Sequence, residues 1–228
     1  MDTTSQPGWL TAARIFLQAL IPAILVLTSV RLMMTNSFVR FNYALPGFPR
    51  DQYGFTQEDR LQHAPIALEY LLNDAGIEFL GDQQFEDGTP VYNARELGHM
   101  VDVKQITRAA LNVWRLGLIA AVATSVLLWR VAGSRYLWES LQAGAKLTAL
   151  VMVILIVGLL VAFSVLFVAF HEIFFDPNTW TFLFSDTLIR LFPERFWQVA
   201  FATVGVATLV QAGLLYLITR LLLVGSAH

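Results

Sequence analysis

Two histidines, His99 and His171, are the residues of this 228-residue chain best placed to do chemistry. His99 is followed at i+3 by Asp102, a spacing that on a helix sets a carboxylate beside an imidazole and lets it orient the ring. His171 comes directly after a long apolar run, in Phe170-His171-Glu172-Ile173-Phe174-Phe175, where a helix leaving hydrocarbon meets the interface. Imidazoles titrate near neutrality, so two that share a site can divide the work of a general base and an oxyanion donor. The alternative use of the same side chains is metal binding. His99, Asp102, His171 and Glu172 offer two nitrogens and two carboxylates, enough for zinc or another divalent ion, although no compact motif such as H-E-x-x-H is present. His63 and the terminal His228 read as solvated surface residues.

Lys104, Arg108 and Arg115 recur at spacings of four and seven and fall on one helical face. Charges so close to lipid are costly, so they read either as a site for an anionic headgroup or a reacting carbonyl, or as side chains that snorkel to the interface. Arg31, near the end of an apolar segment, reads the same way. The chain has no Cys, which removes disulfides, thiolate ligands and a Cys nucleophile. No G-x-S-x-G elbow occurs, and Ser29, Ser125 and Ser164 lie within apolar segments without a nearby base, which argues against a seryl acyl-enzyme.

The elements that must position these groups are dictated by lipid. Of the chain, 56% is hydrophobic and only 14% charged, and the mean hydropathy is +0.58. A spanning helix needs about 20 mostly apolar residues, and four stretches supply them: 15–34, 109–128, 147–170 and 199–223. Each must be helical, because backbone groups in hydrocarbon find partners only within the segment. The first is no cleaved secretory signal, since its apolar run is long and Arg31 stands where a small-residue cleavage site belongs. Trp129 and Trp138 bracket the short loop after the second span, and Trp180 and Trp197 lie between the third and fourth, as interfacial aromatics do.

The connector 129–146 carries Arg130, Arg135 and Lys146 against Glu139 and reads as cytoplasmic, as do the ends 1–14 and 224–228. Segment 35–108 holds six basic and eleven acidic residues and falls on the other side, with 171–198. With a net charge of −2 and no Lys/Arg run, nucleic acid is excluded as a partner. The expected fold is therefore an all-α membrane protein of four transmembrane helices, with a small, mainly helical extracytoplasmic segment between the first two.

That segment has too few apolar residues for a large independent core and is expected to fold against the bundle. Thr56 with Asp59 makes a capping box before an amphipathic helix whose apolar positions are Leu61, Ala64, Pro65, Leu68, Leu71 and Leu72. Glu86-Asp87-Gly88-Thr89-Pro90 marks a turn, and Asn93 with Glu96 makes a second capping signature. A helix from there to Leu128 would be roughly 54 Å long, so its first turns, bearing His99, project beyond the hydrocarbon. Both histidines thus fall at one membrane face.

Three stretches carry a resemblance. Tyr53-Gly54-Phe55-Thr56-Gln57-Glu58-Asp59-Arg60, then Asn93-Ala94-Arg95-Glu96-Leu97-Gly98-His99-Met100-Val101-Asp102-Val103-Lys104, then Phe170 to Phe175 with Trp180, resemble the lipoprotein intramolecular transacylase (Lit) family in order and spacing. The resemblance implies an enzyme of the bacterial cytoplasmic membrane with an extracytoplasmic active face. It would move the sn-2 acyl chain of a diacylglyceryl lipoprotein to the N-terminal Cys amine and leave a lyso-form. It also implies catalytic roles for His99, His171 and Asp102, substrate contacts from Lys104, Arg108, Arg115, Arg31, Tyr53 and Trp180, and no cofactor or metal, since the ester already carries the activated acyl group. The reading from a different class is a non-catalytic membrane protein that binds lipid or a partner, with structural histidines; a His/carboxylate metal hydrolase is the other.

Overall fold

The computed structural model describes residues 7–225; His228 and residues 1–6 lie outside it. The described chain is helical: α1 (Gly8–Met33), α2 (Asn36–Ala44), α3 (Gln57–Leu72), α4 (Glu78–Gly81), α5 (Ala94–Phe174), α6 (Thr187–Leu191) and α7 (Glu194–Gly225). Three of these, α1, α5 and α7, are long and apolar enough to cross a membrane.

The 81-residue α5 absorbs the second and third expected spans together with the connector between them. The connector 129–146 is thus helical rather than a loop. Run straight, the 72 residues from His99 to His171 would cover about 108 Å, yet the two imidazole centroids are 6.3 Å apart. The helix must double back. Gly133, near the midpoint, is the one residue of α5 with a positive φ (+87°), a conformation that lacks a penalty only without a Cβ. Contacts with α1 agree: Gly117 leaves room for Ile24, and Gly144 for Ile21, one turn away, so both limbs of α5 reach the same stretch of α1.

Two compact units result. The first comprises the chain up to Arg31, Leu111–Val157 and the chain from Val204 onward. Its helices meet through small residues and a polar cluster: the Ser29 and Thr208 hydroxyls lie 2.8 Å apart, and Gln211 Nε2 donates to Ser29 Oγ. Trp114 Nε1 donates to the Thr28 hydroxyl. Arg31 and Arg115 belong to this unit and are exposed, and Arg115 donates to Asn112 Oδ1.

The second unit comprises Leu32–Ala110 and Gly158–Thr203, and it has a core of its own. Val39, Tyr43, Ala64, Ala67, Tyr70, Leu80, Val91 and Tyr92 pack with Leu188, Leu191 and Phe196. The polar segment therefore gathers its core with the help of 188–196, which its composition alone did not suggest. Both capping boxes form: the Thr56 side chain accepts from the Asp59 N–H and Asn93 from the Glu96 N–H, with the reciprocal bonds made. In α3 the buried face is Arg60, His63, Ala64, Ala67 and Tyr70, rotated from the leucine stripe, and Leu72 is exposed. His63 is therefore a core residue, not a surface one; Phe55 and Phe85 flank its ring. The expected turn is present, with Phe85 N–H donating to the Thr89 carbonyl around Gly88.

A buried ion network ties this unit together. The Asp51 carboxylate accepts from Arg190 Nε and Nη2 and from the N–H groups of Tyr53 and Phe55, with Arg60 Nη2 at 4.0 Å. Arg60 in turn donates to the Arg190 and Pro49 carbonyls. Burial alone would raise the Asp51 pKa, but the hydrogen bonds from Arg190 and the two backbone N–H groups outweigh it and hold it below the ordinary carboxylate value.

Candidate functional site

His99 lies on the second turn of α5, and the start of that helix is fixed unusually well. Glu96 is fully buried; one carboxylate oxygen accepts from the Asn93 N–H and the other from the Leu188 N–H. Asn93 Nδ2 donates to Asp186 Oδ1, Arg95 lies 3.7 Å from Asp186 Oδ2, and that same oxygen accepts from the Leu183 N–H. Through Asp186 the loop 182–186 is clamped to the head of α5. Phe182 is thereby held against His99, at a centroid distance of 5.3 Å.

His171 sits on the last turn of α5, so the reversal of that helix brings it opposite His99, with the rings 21° from parallel. The walls are aromatic. Phe175 lies 4.8 Å from His99 and 5.6 Å from His171, Phe167 is 4.2 Å from His171, and Trp180 is 4.9 Å from it. Trp180 Nε1 is buried without a hydrogen-bond partner.

Hydrogen bonding gives the two imidazoles different tautomers. His171 Nδ1 is 2.7 Å from the Phe167 carbonyl, which can only accept, so Nδ1 carries the proton and Nε2 keeps its lone pair. His99 Nδ1 is buried with no partner. An orphaned N–H is rarer and costlier than an acceptor left unfilled, so the His99 proton belongs on Nε2. Burial, and next the proximity of His171, push the His99 pKa down to about 4. Burial likewise lowers His171, opposed by its bond to Phe167. Both rings are neutral at pH 7, one offering a lone pair and the other an N–H.

An open cleft of about 470 Å³ leads to His99, lined also by Arg95, Gly98, Val101, Asp102, Asn178 and Thr179. That volume suits a small ligand or part of a larger one. Asp102 shares the cleft with His99, but the bond expected between them is absent: Asp102 makes no hydrogen bond or ion pair with a described residue, and His99 Nδ1 has none either. An i+3 spacing makes two side chains neighbours without aiming one at the other.

The structure brings His99, His171, Asp102 and Trp180 together and disperses the rest of the expected set. Lys104 is buried, its Nζ donating to Asn73 Oδ1 and the Ala75 carbonyl over the Tyr70 ring. Arg108 donates to Asp74 and the Asn73 carbonyl. Both cations pin the end of α3 to α5. Tyr53 is exposed and gives its carbonyl to Arg190. Among the described residues no three His, Asp or Glu side chains converge as a metal would need, so the metal reading of His99, Asp102, His171 and Glu172 has no geometric support. Asp186, Phe182 and Arg190 went unnoticed in the sequence, since their importance lies in contacts across about 90 to 140 residues.

Comparison with known proteins agrees with this architecture. The model of the family "Lipoprotein intramolecular transacylase Lit" matches residues 15–197. An uncharacterised protein of Aquifex aeolicus (strain VF5) is 26% identical over 215 residues, covering 91% of this chain and 93% of that one. The in meso structure of the membrane-integral lipoprotein intramolecular transacylase Lit from Bacillus cereus superposes with a TM-score of 0.80 at 20% identity, covering 97% of this chain and 99% of that one. Another structure of that protein, in which one histidine is replaced by arginine, gives a TM-score of 0.72 at 18% identity, covering 96% of this chain and 94% of that one.

Proposed function

We propose that this chain, which belongs to the lipoprotein intramolecular transacylase family, is a membrane acyltransferase that moves the sn-2 acyl chain of a diacylglyceryl lipoprotein to the amine of its N-terminal Cys. The observation that carries the reading is the facing pair of neutral imidazoles with opposite hydrogen-bonding character. His171 Nε2 takes a proton from the amine as nitrogen attacks the ester carbonyl carbon. His99 Nε2–H donates to the carbonyl oxygen as it becomes an oxyanion; a neutral imidazole suits this task because it donates without having to lose a charge. When the tetrahedral carbon re-forms its C=O bond, the C–O bond to glycerol breaks. The departing oxygen then takes the proton held on His171. The products are an amide and a glyceryl hydroxyl, with no water or cofactor consumed.

The aromatic walls keep water from competing with the amine and hold both imidazoles in the uncharged state that the chemistry needs. Lys104 and Arg108, bonded within the protein, act in this account by positioning the head of α5, whereas Arg31, Arg115, Tyr53 and Trp180 remain proposed lipid contacts. In the same reading α1, the two limbs of α5 and α7 make four crossings of the bacterial cytoplasmic membrane. The histidine pair opens to the extracytoplasmic side, and Gly133 lies at the cytoplasmic turn.

The test is tandem mass spectrometry of a lipoprotein N-terminus from bacteria with and without this protein. The expected result is an N-acylated Cys bearing a monoacyl glyceryl group only when the protein is present. Unchanged diacylglyceryl Cys at matched expression would leave the non-catalytic binding protein as the better account.

A further inference from the structure

Beside the histidine pair, the cleft holds polar groups that the transfer chemistry leaves unused. Asp102 is half-buried with no hydrogen bond or ion pair to any described residue. A carboxylate that lines an open cleft and has no protein partner is available to a cationic group of a ligand. Asn178 lines the same cleft, its backbone in the left-handed region at φ 71°, and its side-chain amide has no protein partner. Arg95 lines it too, about half exposed and only loosely paired with Asp186 at 3.7 Å.

Spacing says what this set fits. Asp102 lies one turn beyond His99 on the same helix face, with Cβ atoms about 5–6 Å apart, so a cation on its carboxylate sits beside the reacting centre. Arg95 lies two turns before Asp102, roughly 10.5 Å along the helix, which an extended peptide covers in about three residues. Along that face His99 stands between the two, so the cleft offers an anion on one side of the ring and, on the other and from the facing Asn178, donors for carbonyl groups. That is the complement of a peptide's amino end.

We infer that the cleft lined by Arg95, His99, Asp102, Asn178 and Thr179 is the subsite for the substrate's polypeptide: Asp102 takes the α-ammonium, and Asn178 and Arg95 take carbonyls of the residues that follow. The inference rests on the proposed acyl transfer only for the lipid attached to that peptide. Asp102 is then a binding residue that selects an amine, in place of water or an alcohol, as nucleophile. It is not the group that orients His99. The amine docks as its ammonium, releases that extra proton to solvent through the open cleft, and attacks as the free amine, whose second proton His171 takes and then returns to the departing glyceryl oxygen.

The experiment measures binding of unreactive lipopeptides to the purified full-length protein in detergent. The probe is a cysteinyl tetrapeptide whose sulfur carries a dialkyl (ether) glyceryl group, so no ester is present to transfer; it is compared with its N-acetylated form. The native protein should bind the free amine about tenfold more tightly, the effect of one charge-assisted hydrogen bond. Asp102→Asn should bind both forms as the native protein binds the acetylated one, and Asp102→Glu should recover most of the preference. Truncating the probe to a single lipidated Cys amide should weaken binding to the native protein but much less to Arg95→Gln. Equal binding of the two forms by the native protein overturns the inference whatever the variants do, and so does a preference that survives in Asp102→Asn. Because the probes cannot react, an enzyme that binds the amine selectively yet transfers no acyl chain would overturn the catalytic reading alone. One that transfers without selectivity would overturn this inference alone.

Discussion

Replacing Asp51 by Asn removes one negative charge from a network that holds two guanidinium groups in place. The Asp51 side chain is 3% exposed, and those of Arg60 and Arg190 are 7% and 12% exposed. Asn retains one oxygen to accept from backbone N–H groups, but Arg190 loses its two-point partner and both cations lose their counter-charge. Breaking a buried pair from one side costs about 3–5 kcal/mol, and the retained acceptor puts this change near the lower end, about 3. The second unit spans roughly 125 residues, for which an unfolding entropy of about 0.26 kcal/mol/K converts that cost into a melting shift of about 11 °C. Tryptophan fluorescence during a thermal ramp in detergent measures it. The double variant Asp51→Asn/Arg190→Gln should be less destabilised than the sum of its singles. A shift under about 2 °C, or strict additivity, would refute the view that this network holds the unit together. Activity should fall with stability, because Arg190 lies on α6, directly after Asp186, which clamps the loop bearing Phe182 against His99.

Lowering the pH should remove the Asp51 contribution, which is present above the unfolded carboxylate value of about 4 and lost as pH falls through the still lower folded value; the acid-induced drop in melting temperature should be smaller in Asp51→Asn. Transfer itself should be lost in acid in two steps, as the substrate amine is protonated near its ordinary value of about 7.7–8.0 and, at lower pH, as His171, whose folded pKa lies below 6.5, takes a proton; a profile with the amine's step alone would contradict the role of His171 as base. Gly133→Ala should cost about 1–2 kcal/mol through its φ of +87° alone, since a Cβ there meets nothing within 4 Å, and a melt unchanged from native would show that the reversal lies elsewhere. Cysteines placed at the exposed Glu86 and Arg135 should react with an impermeant reagent in intact cells only at position 86; labelling only at position 135 reverses the orientation.

Local signals read well in the sequence, and contacts between distant residues did not. Thr56/Asp59 and Asn93/Glu96 announced two helix starts because a capping box is complete within four residues. The apolar stretches announced lipid-compatible helices because the bilayer leaves no alternative. His99 and His171 were paired from topology, without a measure of their separation. The Asp51–Arg60–Arg190 network, the burial of His63 and the withdrawal of Lys104 into a cage of Asn73, Ala75 and Tyr70 depend on side chains that meet only once the chain is folded. The burial of α3 shows the same limit: its leucines suggested one face, but Arg60, His63 and Tyr70 had partners waiting inside. Gly133 gave no warning either, since a lone glycine in an apolar run does not reveal the sign of its φ.

The central claim is tested most directly by incubating purified protein with a synthetic diacylglyceryl-cysteinyl peptide and fragmenting the product. Acyl transfer leaves the mass unchanged but moves one chain onto nitrogen, so the dehydroalanyl peptide formed when the S-glyceryl group is eliminated during fragmentation gains that chain. Native protein should generate this fragment, and His99→Ala and His171→Ala should each slow its appearance by about 10²-fold or more. Native protein that leaves the peptide unaltered, or either histidine variant working at the native rate, would contradict the account.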